Sequence, residues 1–332
     1  DFLDKENIFT STAAFLETRA AQLHLQQTSQ QKTKESSEQT QAAIKAMKIT
    51  AADLMTQTMD AKLWTATPIP TNTPSLTTTP LPTNTSAPTV TPTPILAIGS
   101  QKVRDKDGMV MVYVPEGEFL MGGSNRFDEG PFHKVFLNAF WVDLTEVTNG
   151  EYAKCIADGF CIDPHIYSSS TRSKYFGDNQ YDDFPIINVD WFQAKSYCLW
   201  TGGDLPTEAQ WEKAARGTDG RIYPWGDYLD KHKANYENED TTRVGSYPEG
   251  ASFYGALDMA GNVEEWVNDW YDETYYSISS YKNPAGPSSG EYRVSRGGSY
   301  RDDFSKINVM FRRYESPTDF TQDKGFRCVF PP

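Results

Sequence analysis

The chain has 332 residues and a formal net charge of −14 at pH 7, a length that allows two domains on ordinary size statistics. An acidic excess of this size argues against nucleic acid as a partner, because phosphate backbones are bound through Lys and Arg. No run of about 18 apolar residues is present, so the sequence predicts no membrane-spanning helix. A chain that begins at Asp1 rather than Met fits the removal of an upstream signal or anchor.

The first predicted element is a long amphipathic α-helix over residues 1–64. Its apolar positions recur every seven residues at first and at helical spacing later, and they include Phe2, Phe9, Leu16, Leu23, Ile44, Met47 and Leu54. A stripe of this kind on one side of a helix packs against another helix. We therefore expect this segment to self-associate into a filament or bundle, although a hairpin of two helices or a frayed stalk fits the same pattern.

Residues 65–95 are predicted to be an extended linker. They contain 12 Thr and 8 Pro and carry no charge. Such a composition favours polyproline-like backbone and cannot build a core. On a secreted chain it is also a place for O-linked sugars, and Asn84-Thr85-Ser86 is an N-glycosylation sequon. A stalk, a spacer and a terminal head together predict an extracellular or cell-surface location.

Residues 96–332 read as one compact domain. Short strand-like runs such as MVMVYVP and HKVFLNAFWVD are separated by Gly-rich turns. Two helices are marked by capping boxes, one with Asp190 and Gln193 and one with Thr207 and Gln210. Few regular elements and many loops predict an irregular α+β fold that needs ligands or disulfides to hold it together.

Motifs within residues 105–330 resemble those of the formylglycine-generating enzyme (sulfatase-modifying factor) family, in family order. They are MVYVPEGEFLMGG, FWVDLTEVTNGEYAKC, FPIINVDWFQAKSYCLWTGGDLPTEAQWEKAARG, YPWGD, YGALDMAGNVEEWVNDWY, YRVSRGGSY and KGFRCV. The family fold is a variant of the C-type lectin fold. The resemblance therefore implies an α+β, C-type lectin-like domain after the helix and linker.

The catalytic part of the resemblance is missing. In the formylglycine-generating enzymes two cysteines shortly after GGSY bind copper, and the matching positions here are Asp302 and Ile307. Soft thiolates hold Cu(I), and carboxylate oxygens do not replace them. The four histidines show neither HxxxH nor HExxH spacing. We therefore expect no copper, no catalytic residues and no oxidation of a substrate cysteine.

The calcium-binding motifs of the family are better preserved. The resemblance assigns one structural calcium site to side-chain oxygens of Asp258 and Glu265 and to backbone carbonyls of Gly261 and Val263. Mixed carboxylate and carbonyl ligands suit calcium. A second family site would involve Asn235, Tyr236 and Asp240, where this chain is shorter than the family pattern. For Asp258 and Glu265 the alternative is a solvated acidic loop.

The four cysteines suggest two disulfides. Cys198 and Cys328 resemble a family disulfide that joins the first helix to the last strand. Cys155 and Cys161 are near enough in sequence to close a small loop. An even cysteine count in a secreted domain favours disulfides over metal binding.

Three functions remain open after the loss of the copper ligands. The first is a non-catalytic surface protein that assembles through its helix and displays the head. The second is a binding module whose altered groove takes a glycan or peptide; the groove residues would be Tyr300, Asp302, Asp303, Arg312 and Arg313. The third is a metal-dependent enzyme of changed chemistry that uses Asp302 and Asp303. We expect the first, with the other two as alternatives.

Overall fold

The computed structural model describes residues 96–123 and 126–332 of the chain. This part forms ten strands and three α-helices with much irregular structure between them, an α+β arrangement. The strands are β1 (Gln101–Val103), β2 (Val110–Val114), β3 (Gly117–Met121), β4 (His133–Leu137), β5 (Phe140–Asp143), β6 (Glu264–Trp270), β7 (Arg293–Arg296), β8 (Arg312–Glu315), β9 (Lys324–Phe326) and β10 (Val329–Phe330). The helices are α1 (Asn149–Ala157), α2 (Trp191–Trp200) and α3 (Glu208–Arg216). The helix expected over 1–64 and the linker expected over 65–95 lie outside the described residues.

The strands belong to three sheets. Their orders are β1-β2-β5-β10, β3-β4 and β8-β7-β6-β9, and the neighbours are antiparallel except for β6 and β9. In the first sheet Val329 pairs with Val142, so the last strand β10 lies beside β5, with β1 at the opposite edge. The first and last strands of the domain therefore belong to the same sheet.

Strand β6 lies in the interior of the third sheet and carries charged side chains on both faces of that sheet. Successive side chains of a strand alternate, so Glu264 and Glu265 point in opposite directions. The register places Glu265, Arg296 and Arg312 side by side on one face. Glu264 on the other face pairs with Arg313 at 3.2 Å and with Lys324 at 3.6 Å. Both faces therefore carry buried ions as well as apolar side chains.

All three α-helices begin with a capping box. Asp190 with Gln193 caps α2 and Thr207 with Gln210 caps α3, which confirms the two predicted helix starts. Thr148 caps α1 in the same way with Glu151. Each box satisfies backbone N–H groups that the first turn of a helix leaves free. Within the described residues no helix is both long and apolar enough to cross a bilayer.

Helix α3 packs its charged residues inward. Glu208 and Glu212 are buried, and Arg296 donates to them at 2.9 and 2.7 Å. Arg216, also buried, donates to Glu212 at 2.9 Å. Breaking such a pair would leave a desolvated charge, so these contacts fix α3 against the sheet.

Both expected disulfides are present. Cys155 pairs with Cys161 across six residues, with their Cα atoms 5.3 Å apart. Cys198 of α2 pairs with Cys328 across 130 residues, with a Cα separation of 5.5 Å. The first closes the loop after α1, and the second ties α2 to the end of the chain beside β10.

Candidate functional site

The loop that follows β7 holds Asp302 at one of the two positions matched to copper ligands. Its Oδ2 accepts hydrogen bonds of 3.0 Å from the backbone N–H and from the Oγ of Ser299. Its Oδ1 accepts from Arg313 at 2.8 Å and from Lys306 at 3.2 Å. Burial alone would raise the pKa of Asp302, but the Arg313 charge and these hydrogen bonds outweigh it and hold that pKa below its ordinary value. Asp302 is thus an ionised residue that orders its own loop.

The second matched position is apolar. Ile307 is fully buried and belongs to a small cluster with Tyr223, Tyr236 and two alanines. All four cysteines of the chain lie in the described part, and all four are in disulfides. The loop therefore offers one engaged carboxylate and one hydrocarbon where a Cu(I) site needs two thiolates.

The five residues expected to line one groove do not share a surface. Arg312 is 1% exposed, and its guanidinium forms two hydrogen bonds of 2.7 and 3.0 Å with Glu208 of α3. Tyr300 is also buried, and its hydroxyl bonds to Ser170 at 2.5 Å. A ligand cannot reach either residue without unfolding the loop, so the expectation needs correction for both.

Of the other three groove residues, Asp302 is buried, whereas Arg313 and Asp303 lie nearer to solvent. Arg313 is partly exposed and bridges Asp302 to Glu264. Asp303 is partly exposed, and its Oδ1 accepts hydrogen bonds from the backbone and side chain of Ser305. Arg313 and Asp303 therefore use these polar groups for contacts within the domain. A ligand at this surface would meet side chains that already have protein partners.

The first predicted calcium loop contains buried acids. Asp258 is in the left-handed backbone region, and its Oδ2 accepts from the N–H of Gly245 at 2.6 Å. Burial raises the pKa of Asp258 above its ordinary value. Glu265, in contrast, is held by Arg327 through two hydrogen bonds of 2.7 Å and by the indole of Trp211 at 2.7 Å. Of the two predicted carboxylates, Asp258 is the one with fewer protein donors.

The structure adds an acid that the motif does not include. Glu146, in the connection between β5 and α1, is fully buried and lies within hydrogen-bonding reach of Asp258. Burial, and then the charges of Asp258 and Glu265, raise the pKa of Glu146 well above its ordinary value. Its sequence context, EVTNGE, contains the capping box of α1 and led to no prediction for Glu146. No local sequence signal marks a residue whose partners are more than 100 positions away.

The second predicted calcium site has its side-chain oxygens engaged by the protein. The Asn235 Oδ1 accepts from Asn238 at 2.7 Å. The Asp240 carboxylate accepts from Ser169 and Thr171, each at 2.6 Å, and pairs with Arg172. Tyr236 has a buried side chain in the cluster around Ile307. These residues brace two loops against each other, and their side-chain oxygens are not arranged around a common point.

A close approach of backbones joins the two predicted calcium loops. The N–H of Asn262 donates to the carbonyl of Asn235 at 2.8 Å. Gly261 has a φ of 76°, and a Cβ there would come within 2.3 Å of the same carbonyl. Any residue other than glycine would push the loops apart.

Within residues 96–123 and 126–332, no group of three or more His, Cys, Asp or Glu side chains is placed to hold a metal ion. A cation at Asp258 would therefore depend on backbone carbonyls as well as carboxylates.

A cavity of about 790 Å³ is lined by residues next to Glu146 and Asp258. Its wall includes Leu144 and Thr145, which precede Glu146, and Gly245, which bonds to Asp258. Further lining residues are polar and of both charges, among them Glu151, Lys154, Asp182, Asp183 and Arg243. Mixed charge and an open mouth suit a polar ligand better than a lipid.

The family model of the sulfatase-modifying factor enzyme 1-like domain matches residues 97–331. The chain belongs to this family. The serine/threonine-protein kinase pkn1 of Chlamydia caviae is 36% identical over 233 residues, which make up 66% of this chain and 37% of the kinase. The formylglycine-generating enzyme of Streptomyces coelicolor is 33% identical over 284 residues, covering 66% of this chain and 88% of the enzyme. The chain thus spans little more than a third of the kinase relative's length.

Solved structures confirm the fold that the motifs predicted. PvdO from Pseudomonas aeruginosa superposes with a TM-score of 0.62 at 26% identity, over 72% of this chain and 100% of that one. Treponema denticola variable protein 1 superposes with a TM-score of 0.58 at 23% identity, over 70% and 99%. The domain is therefore a sulfatase-modifying-factor domain with the C-type lectin-like variant fold. In this chain the loop that includes GGSY carries Asp302 and Ile307.

Proposed function

We propose that residues 96–332 form a catalytically silent head on an extracellular structural protein, which self-assembles through residues 1–64. The observation that carries this proposal is the state of Asp302 and Ile307. Both oxygens of Asp302 are satisfied by protein donors, and Ile307 is buried among hydrocarbon. A loop of this kind has nothing to offer Cu(I).

An exterior location is supported by the disulfides. The two bridges hold α1 and α2 in place within the described domain. Disulfides persist in oxidising compartments and are rare in the cytosol. The Thr/Pro-rich segment 65–95 suits a spacer that carries the head away from an assembled stalk.

Electron microscopy and light scattering of the full chain test the assembly proposal. We expect filaments or discrete bundles from the wild type and their loss in Leu16→Glu, because a buried charge on the apolar stripe opposes helix pairing. Thr18→Glu is the matched control, since helical spacing would place position 18 on the opposite side of the proposed helix from position 16. A monodisperse wild-type monomer would contradict the assembly proposal. Equal effects of Leu16→Glu and Thr18→Glu would show that assembly does not depend on the apolar stripe.

A second candidate function is recognition of a glycan or peptide by the head. It is supported by aromatic side chains that stand exposed on its loops, among them Tyr228, Tyr281 and Phe304. The pkn1 relative contains a similar domain as 37% of its length, which fits a module within larger proteins. Glycan and peptide arrays probed with the full chain and with Phe304→Ala test this function. Specific capture that Phe304→Ala reduces, with assembly unchanged, would favour recognition over display.

We further propose a structural calcium ion at Asp258 with the carbonyls of Gly261 and Val263. The donor chemistry fits, since buried carboxylates outnumber the arginine beside them and carbonyl oxygens complete a hard ligand set. When bound, calcium would supply positive charge to this desolvated cluster. Unfolding midpoints measured in calcium and in EDTA test the site, and equal midpoints would refute it.

A further inference from the structure

The 790 Å³ cavity is lined by an acid and a base of α1 that bond to neutral groups, Glu151 and Lys154. The Oε2 atom of Glu151 accepts from the N–H and the hydroxyl of Thr148 at 2.9 and 3.0 Å. The Nζ atom of Lys154 donates to the backbone carbonyl of Asp107. Residues three apart on a helix lie on the same face, with their Cβ atoms about 5–6 Å apart. One wall of the cavity therefore presents two opposite charges at a set spacing, and these contacts neutralise neither charge.

Other charged groups of the cavity are held by the protein. Asp107 is 3% exposed, and its carboxylate accepts from Arg104 at 2.8 and 2.6 Å and from the hydroxyl of Tyr197 at 2.5 Å. Arg243 forms an ion pair with Asp183, and both residues line the cavity. A ligand would have to break these contacts to use them, so they are not its first binding partners.

Asp182 brings a second carboxylate to the first turn of α1. Its backbone oxygen accepts from the N–H of Gly150 at 2.9 Å, and a Cβ on Gly150 would come within 3.2 Å of Asp182. The N–H groups of Asn149 and Glu151 also have protein acceptors. These three N–H groups are thus taken and do not attract an anion. A positively charged group would instead meet the carboxylates of Glu151 and Asp182.

Glu151 lies where a positive charge is missing. Burial, with smaller contributions from the charges of Asp107 and Asp143, raises the pKa of Glu151 to about 7, although the hydrogen bonds with Thr148 oppose the rise. An opposite charge within about 4–6 Å stabilises the ionised form of such a group. An ammonium group would supply this charge, and it carries three N–H donors to share between Glu151 and Asp182.

The rest of the wall is largely apolar. Val110, Leu144 and Val244 line the cavity together with Met109, which is buried. Hydrocarbon walls with a few placed polar groups are typical of sites for small ligands, and they favour a hydrocarbon side chain.

We propose that this cavity binds a small zwitterion of the α-amino-acid class with an aliphatic side chain. Its ammonium group would lie at Glu151 and Asp182, and its carboxylate would bond to Lys154. The volume of 790 Å³ also admits a short peptide with the same end groups, so a free amino acid and a peptide share this chemistry. The site is separate from the loop after GGSY, and its occupation does not depend on assembly through residues 1–64.

Calorimetric titration of the full chain with four compounds tests the two ends of the ligand separately. L-Leucine carries both charges, N-acetyl-leucine lacks the ammonium, leucinamide lacks the carboxylate, and leucyl-leucine places the two charges further apart. We expect L-leucine to bind at least about tenfold more tightly than N-acetyl-leucine and leucinamide, because each of these loses a charge-assisted hydrogen bond. Tighter binding of leucyl-leucine than of L-leucine would identify a peptide as the ligand, and the reverse order would identify a free amino acid.

Two variants assign the ends to their residues. Glu151→Gln removes the negative charge but keeps the capping box of α1, because glutamine at this position also bonds to the N-cap backbone. It should weaken L-leucine binding at least about tenfold and leave N-acetyl-leucine unaffected. Lys154→Gln should weaken L-leucine similarly and leave leucinamide unaffected. Glu291→Gln and Lys134→Gln, which alter exposed charges outside the cavity lining, are the matched controls.

The compound series on the wild type decides the proposal even if a variant fails to fold. Absence of binding by all four compounds at about 10 mM would overturn it. Equal affinities for L-leucine and leucinamide would overturn it as well, because Lys154 would then meet no carboxylate and the cavity would take a simple amine. Neither result bears on filaments or bundles seen by electron microscopy, so failure of this site and failure of the assembly proposal are distinguishable.

Discussion

Arg313 donates hydrogen bonds of 2.8 Å to Asp302 and 3.2 Å to Glu264, and so joins the altered copper loop to the central strand β6. Lys306 and Ser299 donate to the same Asp302 carboxylate. The loop therefore keeps its shape through charge and hydrogen bonding. A residue that elsewhere in the family would be a thiolate has become part of the framework.

Replacing Asp302 should destabilise the domain. Asp302→Ala leaves the Ser299 N–H without this acceptor and leaves Arg313 with Glu264 as its remaining partner, a loss of about 2–4 kcal/mol in the free energy of unfolding. Urea denaturation of the full chain, followed by tryptophan fluorescence, measures it. Asp303→Ala is the control, because that partly exposed carboxylate bonds to Ser305 and forms only a long ion pair of 3.8 Å with Lys306, and its loss should cost about 1 kcal/mol or less. Equal losses would contradict the framework role of Asp302.

Arg312 should behave as a core residue. Arg312→Ala removes two hydrogen bonds from buried Glu208 and leaves Arg296 as its remaining charged partner, and we expect a loss of about 3–5 kcal/mol in the free energy of unfolding. Arg243→Ala removes an exposed ion pair with Asp183 and should cost less than about 1 kcal/mol. Thermal and urea unfolding of both variants provide the comparison. An Arg312 variant as stable as the Arg243 variant would return Arg312 to the list of candidate ligand-binding residues.

The two disulfides should differ in their contribution. The loop of 130 residues closed by Cys198–Cys328 predicts about 5 kcal/mol from restriction of the unfolded chain, and the loop of six closed by Cys155–Cys161 predicts about 2 kcal/mol. Paired Cys→Ser variants of each bridge, unfolded in urea without reductant, test the order. The chain-entropy explanation would not hold if the short bridge proved the stronger.

The raised pKa of Asp269 predicts that the free energy of unfolding of the domain depends on pH. Burial, reinforced by the charge of Glu208, raises the pKa of Asp269 to about 8, well above its value in an unfolded chain. Between about pH 4 and pH 8 the folded state therefore holds a proton that the unfolded state releases, and stability from this group falls as pH rises. Asp269→Asn removes the titration but can still accept from the Glu208 N–H through its amide oxygen.

The difference between wild type and Asp269→Asn should therefore change with pH. Relative to the variant, the wild type should be less stable at pH 8 than at pH 5. Unfolding free energies of both proteins at the two pH values give the answer. Parallel pH profiles would show that Asp269 titrates normally in the folded state.

Several features of this protein were readable from local sequence. The capping boxes at Asp190 and Thr207 predicted two helix starts, because a cap and its helix are contiguous in the chain. The motif series, through the family resemblance, predicted the fold and the Cys198–Cys328 disulfide, and the short spacing of Cys155 and Cys161 predicted the other disulfide. Asp302 and Ile307 could be placed at the copper positions by their distance from GGSY.

The tertiary structure decided what those residues contact. Arg312 meets Glu208 across 104 positions, and Glu146 meets Asn262 across 116. Periodicity and spacing report only neighbours along the chain, so they could not separate a buried ion pair from a groove residue or find Glu146 beside the calcium motif. Which carboxylate holds an arginine and which is left free depends on three-dimensional packing, since burial makes every unmatched charge costly. The sequence by itself therefore determined the family and the absence of cysteine at positions 302 and 307, and folding alone determined which charged side chains contact each other.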